Sequence, residues 1–538
     1  MKGFVEKINT RFLIAFSGIL LGITLIFAKV GFLSYIALIP LAAAIIKRGE
    51  SEKYRIRTAY LDGFIFYMCF DIVGFHWFTY FYPLDFAGLT NGQTILVIAL
   101  AWIGLSALQS AFSAFVFVVI SRFLKTKIYA KYPVLLAPFA AALVTVNEWT
   151  QTFTWAGIPW ARIAISQTEM PIMMQSASLF GSYFLTFIVV LFNFLLAFAI
   201  LNIAIRRVAA FSAAAVILGN LLVGTVLYFI PRVDESRSVK VASIQGNLES
   251  QTCDKTFSEI CDIYEYQTRK AAKEGAEVIL WCEGVFPANI TTTIYPKTLN
   301  RYVRIDKYMS MLAKELGVTI IVGAYVEVDE LDYNAVSAFY ADGSSEINAY
   351  SKRRPVPFGE YLPMRDFVNA VVPALAQINY MSYDIYSGDK ATVFKATNDE
   401  DAIKIGTLIC FDSIYENLGI ESADKGAEIF IIPSNDSWFY DSRALNMHHS
   451  QNILRAVEQG KYTVNCGNTG LTSIVNDKGK VVSDMPIYTE GYVIDTVYAS
   501  SGRTLYSYIG NLFVYVCIAA IFVPFIFEII YKKNKKSE

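Results

Sequence analysis

Three groups able to do acyl chemistry stand at the ends of apolar stretches. Glu283 follows AEVILWC, Lys352 follows INAYS, and Cys410 follows KIGTLI. A cysteine at the end of a buried strand suits a nucleophile, because the strand is rigid and the N–H groups of the next turn are free. A carboxylate can take the thiol proton and later return it to a leaving group. An ammonium nearby lowers the thiol pKa and stabilises an oxyanion, and the backbone N–H of Phe411 offers a second donor. Together the three make chemical sense as a cysteine nucleophile with a proton acceptor and an oxyanion stabiliser. Each alone also has a plainer reading: Glu283 as a solvated strand end, Lys352 as part of a basic run with Arg353 and Arg354, Cys410 as a small core hydrophobe. No Ser-His-Asp set competes. Of three histidines, His76 lies in an apolar span, and His448 and His449 share one expected helix.

The elements that must position these groups begin at Val239, where short apolar strands alternate with amphipathic helices. Strands are expected at 239–246, 277–283, 318–326, 334–340, 404–410, 428–434, 462–467 and 471–476. Helices are expected at 256–274, 299–316 and 443–459. This alternation predicts an α/β sandwich over 238–498. Seven cysteines lie scattered without a CxxC pair, which together with so few histidines argues against a His-rich metal site. Cys282 points away from Glu283 along its strand and reads as core. A pairing of Cys253 with Cys261 stays open.

The rest of the chain is of another kind. The 538 residues are 54% hydrophobic and only 17% charged, with mean hydropathy +0.41, against about 25% charged in soluble proteins. The net charge of −1 implies no nucleic-acid partner. Long apolar runs occupy 1–232 and 506–532. They predict seven spans at 11–29, 32–46, 58–81, 93–120, 132–147, 174–204 and 208–230, and an eighth at 508–531, each near the length that crosses about 30 Å of hydrocarbon. Lys2, Lys7 and Arg11 precede the first span. Lys47, Arg48, Lys53, Arg55 and Arg57 precede the third. Arg122, Lys125, Lys127 and Lys131 precede the fifth, and Arg206 and Arg207 the seventh. Lys532, Lys533, Lys535 and Lys536 end the chain. The alternate loops 82–92 and 148–173 carry only Arg162. This bias places both termini in the cytoplasm and 238–498 on the outer face. The loop at 148–173, with Trp149, Trp155 and Trp160, reads as an interfacial segment on that same side.

Taken jointly, Glu283, Lys352 and Cys410 resemble the nitrilase, or carbon–nitrogen hydrolase, superfamily, whose fold is an αββα sandwich. Seven spans, such a domain and one final span resemble the apolipoprotein N-acyltransferase family over essentially the whole chain. The matches are QGN at 245–247, YSKRRPVPFGEYLP at 350–363, CFD at 410–412, SNDSWF at 434–439, LRAVEQG at 454–460 and GNTG at 467–470, with EWTQTFTWAGIPW in the membrane half. The resemblance implies that Cys410 is the nucleophile, Glu283 the general base and then acid, and Lys352 the oxyanion stabiliser. It implies that Glu360 supports the site, with Phe411 and Asp412 standing where the family has Tyr and Glu. Trp155, Trp160, Trp438, Phe439 and Tyr440 are candidates for substrate contact. The chain departs from the pattern at Gly284, Cys253, Asp412 and Tyr440, and glycine is usual at the last.

The implied reaction moves an acyl chain from a phospholipid to a diacylated lipoprotein, in the lipid bilayer, with no metal or nucleotide cofactor. One complete site per chain means that a monomer suffices. The location implied is a bacterial cytoplasmic (inner) membrane, with the catalytic domain on its periplasmic or extracellular side. A membrane-anchored amidase using water, an acyltransferase with another lipid or small-amine acceptor, and a non-catalytic receptor or transporter are the competing readings. Intact Glu283, Lys352 and Cys410, and few charges within the spans (Asp71 the main exception), argue against the last.

Overall fold

The computed structural model describes residues 9–51, 54–84, 88–249, 253–371 and 384–537. Lys2, Lys7 and Lys53 lie outside the described residues. The chain divides into two compact units, Met1–Thr79 with Ile95–Ile230 and Ile509–Glu538, and Tyr80–Thr94 with Pro231–Tyr508.

The first unit is helical. Among the described residues, five helices are long and apolar enough to cross a membrane by length and composition: Ala28–Gly49, Asn91–Phe123, Ser182–Leu201, Arg206–Phe229 and Leu512–Asn534. The other expected spans are helices too. Thr10–Ile26 and Leu136–Thr150 are shorter, and Ile56–Gly74 holds Asp62 and Asp71. Thr10–Ile26 packs closely on Ile56–Gly74 through Gly18 and Gly22, one turn apart. A Cβ on Gly18 would lie 2.4 Å from the Phe66 carbonyl oxygen, and one on Gly22 would lie 2.7 Å from Val73 Cβ. Small residues at this spacing let helix backbones approach without a water-driven core.

Several expected spans are interrupted, among them 93–120 at Ala114, between Asn91–Ser113 and Phe115–Phe123. The one expected at 174–204 breaks at Gly181, whose φ of +79° ends the short helix Ala177–Phe180 before Ser182–Leu201 begins. The one expected at 32–46 is broken between Ser34–Ala37 and Ile39–Gly49. There Asn193 accepts from the Leu38 N–H at 2.9 Å and donates to the Ser34 carbonyl at 2.9 Å, satisfying backbone groups that the break frees.

The second unit is an αββα sandwich. One sheet runs Gly491–Ser500, Val233–Gln245, Val278–Trp281, Thr319–Val328, Leu331–Phe339, Ser345–Ser351, with Phe286–Asn289 also paired to Thr319–Val328. The other runs Val481–Asp484, Ser473–Val475, Thr463–Gly467, Ile429–Ser434, Lys404–Thr407, Val393–Lys395. Each sheet is parallel at its centre and antiparallel at its edges. The central strands Val278–Trp281 and Ile429–Ser434 are buried throughout, as strands covered on both faces must be. The sheets meet face to face, where Ser243 Oγ donates to the Asn465 carbonyl at 3.0 Å. Helices Phe257–Lys273 and Ile305–Leu316 pack on the first sheet, and Glu416–Asp424 and Ala444–Gln459 on the second. Phe257–Lys273 starts at a capping box of Thr256 with Glu259, and Ala444–Gln459 stops at Gly460 in the left-handed conformation.

Several elements differ from expectation, and helix Glu416–Asp424 and strands Val481–Asp484 and Gly491–Ser500 are additional to it. The strand expected through Cys410 ends at its last paired residue, Thr407, with the Leu408 N–H still bonded to the Ile431 carbonyl at 3.1 Å, and Cys410 opens a 3-10 turn, Cys410–Ile414. The helix expected from 299 begins at Ile305, because Val303–Arg304 pairs instead with Thr293–Ile294.

Candidate active site

The ends of the central parallel strands converge. Glu283 stands two residues past Val278–Trp281, Cys410 three past Lys404–Thr407, and Asn435 one past Ile429–Ser434. Lys352 directly follows the edge strand Ser345–Ser351. Gly323 lets its strand pass beside the base, since a Cβ there would lie 2.5 Å from the Cys282 carbonyl oxygen and 2.7 Å from Glu283 Cα.

Lys352 is 1% exposed and lies between two carboxylates, 2.7 Å from Glu283 Oε1 and 2.8 Å from Glu360 Oε2. The Asn334 amide joins the same carboxylates, donating to Glu283 Oε1 at 2.7 Å and Glu360 Oε1 at 2.6 Å. The Asn435 N–H donates to Glu283 Oε2 at 2.8 Å, and the Val356 N–H to Glu360 Oε2 at 2.7 Å. Burial would raise Glu283, but Lys352 and these donors outweigh it and hold the carboxylate below its ordinary pKa. Burial would lower Lys352, but Glu283, Glu360 and Cys410 hold it well above the usual lysine value. Both shifts describe a charged, fully bonded pair.

The Cys410 thiol is the neighbour these charges act on. Burial, and after it the Glu283 charge, push its pKa well above the ordinary thiol value, and Lys352 offsets this only in part. The net effect of the surroundings is therefore opposite to the lowering that the ammonium alone predicts. The resting thiol keeps its proton, and a thiolate forms only when a base takes it. Cys410 has φ +46°, a left-handed conformation that a cysteine adopts only where its surroundings enforce it.

A protein-family model described as carbon-nitrogen hydrolase matches residues 240–505, and one described as the apolipoprotein N-acyltransferase N-terminal domain matches 17–195. The apolipoprotein N-acyltransferase of Pasteurella multocida is 24% identical over 537 residues, 96% of this chain and 94% of that protein. The chain belongs to the apolipoprotein N-acyltransferase family. The Geobacter metallireducens member is 29% identical over 385 residues, 69% of this chain and 70% of its own. Among solved structures, a Saccharomyces cerevisiae member of branch 10 of the nitrilase superfamily matches 49% of this chain and 90% of its own, with TM-score 0.36 and 19% identity. The protein is an integral membrane protein, and its second unit has the nitrilase-like fold that the family resemblance implies.

The remaining candidates fall in different places. Asp412, fully buried, ties the turn after Cys410 to the segment after Lys352. It accepts from the Tyr350 hydroxyl at 2.7 Å and from the Arg354 N–H at 2.7 Å. Burial pushes its pKa up to about 6 against these donors. Asp412→Asn turns an amide N–H₂ toward backbone N–H groups, which only donate, at about 1–3 kcal/mol. Acyl transfer should fall about ten- to a hundredfold with substrate KM unchanged, which initial rates at varied phospholipid concentration would measure. Phe411 packs edge-on against Tyr415, with ring centroids 5.6 Å apart. Trp438 and Phe439 end the turn Asp436–Phe439, which opens one residue past Asn435. Tyr440 has φ +47° and ψ −147°, a glycine-favoured conformation, which explains why glycine is usual there. Trp155 and Trp160 belong to the helical unit, where Trp160 is buried against Trp77, with centroids 5.2 Å apart. Cys253 and Cys261 carry free thiols, and Gly284 turns the chain after the base at φ +57°.

Asn334, Asn435, Asp436 and His448 were not among the candidates. Asn334 had a signal, an asparagine inside the otherwise apolar run NAVSAF. SNDSWF and the histidine pair were visible but pointed to no contact.

Proposed function

We propose that the protein carries a fatty acyl chain from a phospholipid, through a thioester on Cys410, to the N-terminal amine of diacylglyceryl-cysteine lipoproteins. The observation that carries this reading is a buried thiol beside Lys352, which lies 2.7 Å from Glu283 and 2.8 Å from Glu360, in a chain whose membrane and nitrilase-like halves both match the family.

Glu283 takes the Cys410 proton as sulfur attacks the acyl ester carbonyl. The tetrahedral oxyanion faces the Lys352 ammonium and the Phe411 N–H, which precedes the first intrahelical bond of its turn. The C–O bond then breaks, Glu283 gives its proton to the departing lysophospholipid oxygen, and the thioester remains. A neutral acceptor amine attacks that carbonyl, Glu283 accepts the amine proton, and the C–S bond breaks. The proton returns to sulfur, and the product is an amide. Both substrates hold two acyl chains and stay in the bilayer, which accounts for a catalytic domain, read as 238–498, flanked by membrane segments 1–232 and 506–532. The Lys and Arg bias of the loops supports cytoplasmic termini and an outward catalytic domain.

Incubating the purified protein with phospholipid vesicles should add one acyl chain to the peptide bearing Cys410, seen by intact and peptide mass and released by hydroxylamine. A synthetic diacylglyceryl-cysteine peptide should discharge it and gain the chain. Folded protein that takes up no acyl chain would sink the phospholipid donor. That outcome would put the amidase first, whereas discharge by water alone would make the protein a hydrolase of phospholipid esters.

A further inference from the structure

Behind the nucleophile lies a buried histidine that the mechanism above does not use. His448, 1% exposed, sits in helix Ala444–Gln459. Its Nε2 lies 3.1 Å from the Cys410 carbonyl oxygen and 3.0 Å from Ser413 Oγ. Its Nδ1 lies 3.1 Å from Asp436 Oδ1. A carbonyl and a carboxylate only accept, so the protonated ring satisfies both, whereas a neutral ring accepting from Ser413 at Nε2 would leave the Cys410 carbonyl without its donor. Burial opposes that charge, but Asp436 and the Cys410 carbonyl outweigh it and raise the imidazole pKa.

The bonded carbonyl belongs to the Cys410–Phe411 peptide. A peptide unit is planar and trans, so its C=O and N–H point in opposite directions. Holding the Cys410 oxygen against the helix therefore aims the Phe411 N–H away from it. Cys410 is in a left-handed conformation, φ +46°. That strained conformation persists only where the surroundings hold it. We propose that His448, braced by Asp436, is a positioning residue that locks the Cys410–Phe411 peptide so that its N–H serves as an oxyanion donor. The loop that supplies Asp436 also supplies the Asn435 N–H to Glu283 Oε2, at 2.8 Å. One loop thus sets the proton acceptor directly and the oxyanion donor through His448.

The inference rests on the Cys410 thioester reading, and two reactions of the same thiol separate it from a loss of structure. Acylation by phospholipid passes through an oxyanion, and alkylation by iodoacetamide does not. The amide nitrogen of Gln reaches the place of Nε2, and that of Asn the place of Nδ1. His448→Asn should slow single-turnover acylation about a hundredfold, the worth of one oxyanion donor, with alkylation within about threefold of wild type. His448→Gln keeps the donor to the carbonyl and should acylate within about tenfold of wild type. Equal acylation by the two variants, or a parallel fall of acylation and alkylation, would overturn the proposal. Failure of wild type to acylate would instead count against the thioester reading itself.

Discussion

Lys352→Met is expected to slow acylation of Cys410 by about a thousandfold, and to destabilise the protein most at neutral pH. The ammonium lies 2.7 Å from Glu283 and 2.8 Å from Glu360, so its removal leaves a buried and a half-buried carboxylate bridged by the Asn334 amide. Loss of an oxyanion donor alone costs about 10²–10³ in rate. The base is displaced as well, because one carboxylate takes up a proton. Breaking a buried ion pair by removing one partner costs about 3–5 kcal/mol. In wild type the folded pKa of Glu283 lies below its ordinary value. Its contribution to stability is therefore present at neutral pH and lost only as pH falls through that low value. The raised pKa of Lys352 keeps its own contribution until pH rises well above the usual lysine range. Without Lys352, burial dominates and the glutamate pKa rises. The variant's folded state then gains stability on protonation, and its deficit against wild type shrinks as pH falls from neutral toward the ordinary carboxylate range. Thermal unfolding at pH 7.5 and pH 5.5, beside acylation followed by mass, measures both effects. A deficit equal at the two pH values, or acylation within tenfold of wild type, would refute the paired-charge account.

Glu283 and Cys410 were legible because the sequence places each at the end of an apolar stretch, and α/β sheets gather such ends on one side, whereas Lys352 follows a half-exposed antiparallel edge strand and was marked by the family resemblance. The buried central strands and the helices Phe257–Lys273 and Ala444–Gln459 were legible from periodicity, since each buries one face or two. What hydrophobicity could not mark is where a ladder stops. Leu408 and Ile409 are as buried as the strand before them, so the apolar run continues past the last paired residue, Thr407. Edge strands such as Val481–Asp484 and Gly491–Ser500, half-exposed and polar in part, gave little pattern to read. In the helical unit the break at Gly181 leaves hydropathy unchanged, because a left-handed glycine is as apolar as a helical one.

Long-range pairing was the least visible part of the site. Asn334 bonds a carboxylate 51 residues before it, and His448 a carbonyl 38 residues before it. Nothing local in the chain encodes either contact. The family resemblance supplied the roles of Glu283, Lys352 and Cys410. The surroundings add that burial and the Glu283 charge raise the thiol pKa, and this makes the role of the glutamate testable.

Glu283→Gln should abolish acyl transfer, by about 10⁴-fold, while making Cys410 react faster with iodoacetamide. The two effects have opposite signs because they depend on different properties of the carboxylate. Acylation and amine attack each need a group that takes and returns a proton, which general acid–base catalysis values at about 10²–10⁴ per step. An amide does neither. Alkylation needs only the thiolate, and iodide leaves without a proton. In wild type, burial and then the Glu283 charge hold the thiol pKa well above its ordinary value, against the pull of Lys352. The neutral amide removes the second influence and leaves the ammonium, so the thiol pKa falls and the thiolate fraction at pH 8 rises several-fold. The substitution has its own cost. Lys352 Nζ, Asn334 Nδ2 and the Asn435 N–H all donate to Glu283. The new N–H₂ must therefore face a donor, which costs about 1–3 kcal/mol, and rates are compared on protein that elutes as wild type in gel filtration. Faster alkylation with lost acylation assigns Glu283 to proton transfer. Slower alkylation alongside lost acylation would make it a brace for the site and leave the base to be found elsewhere.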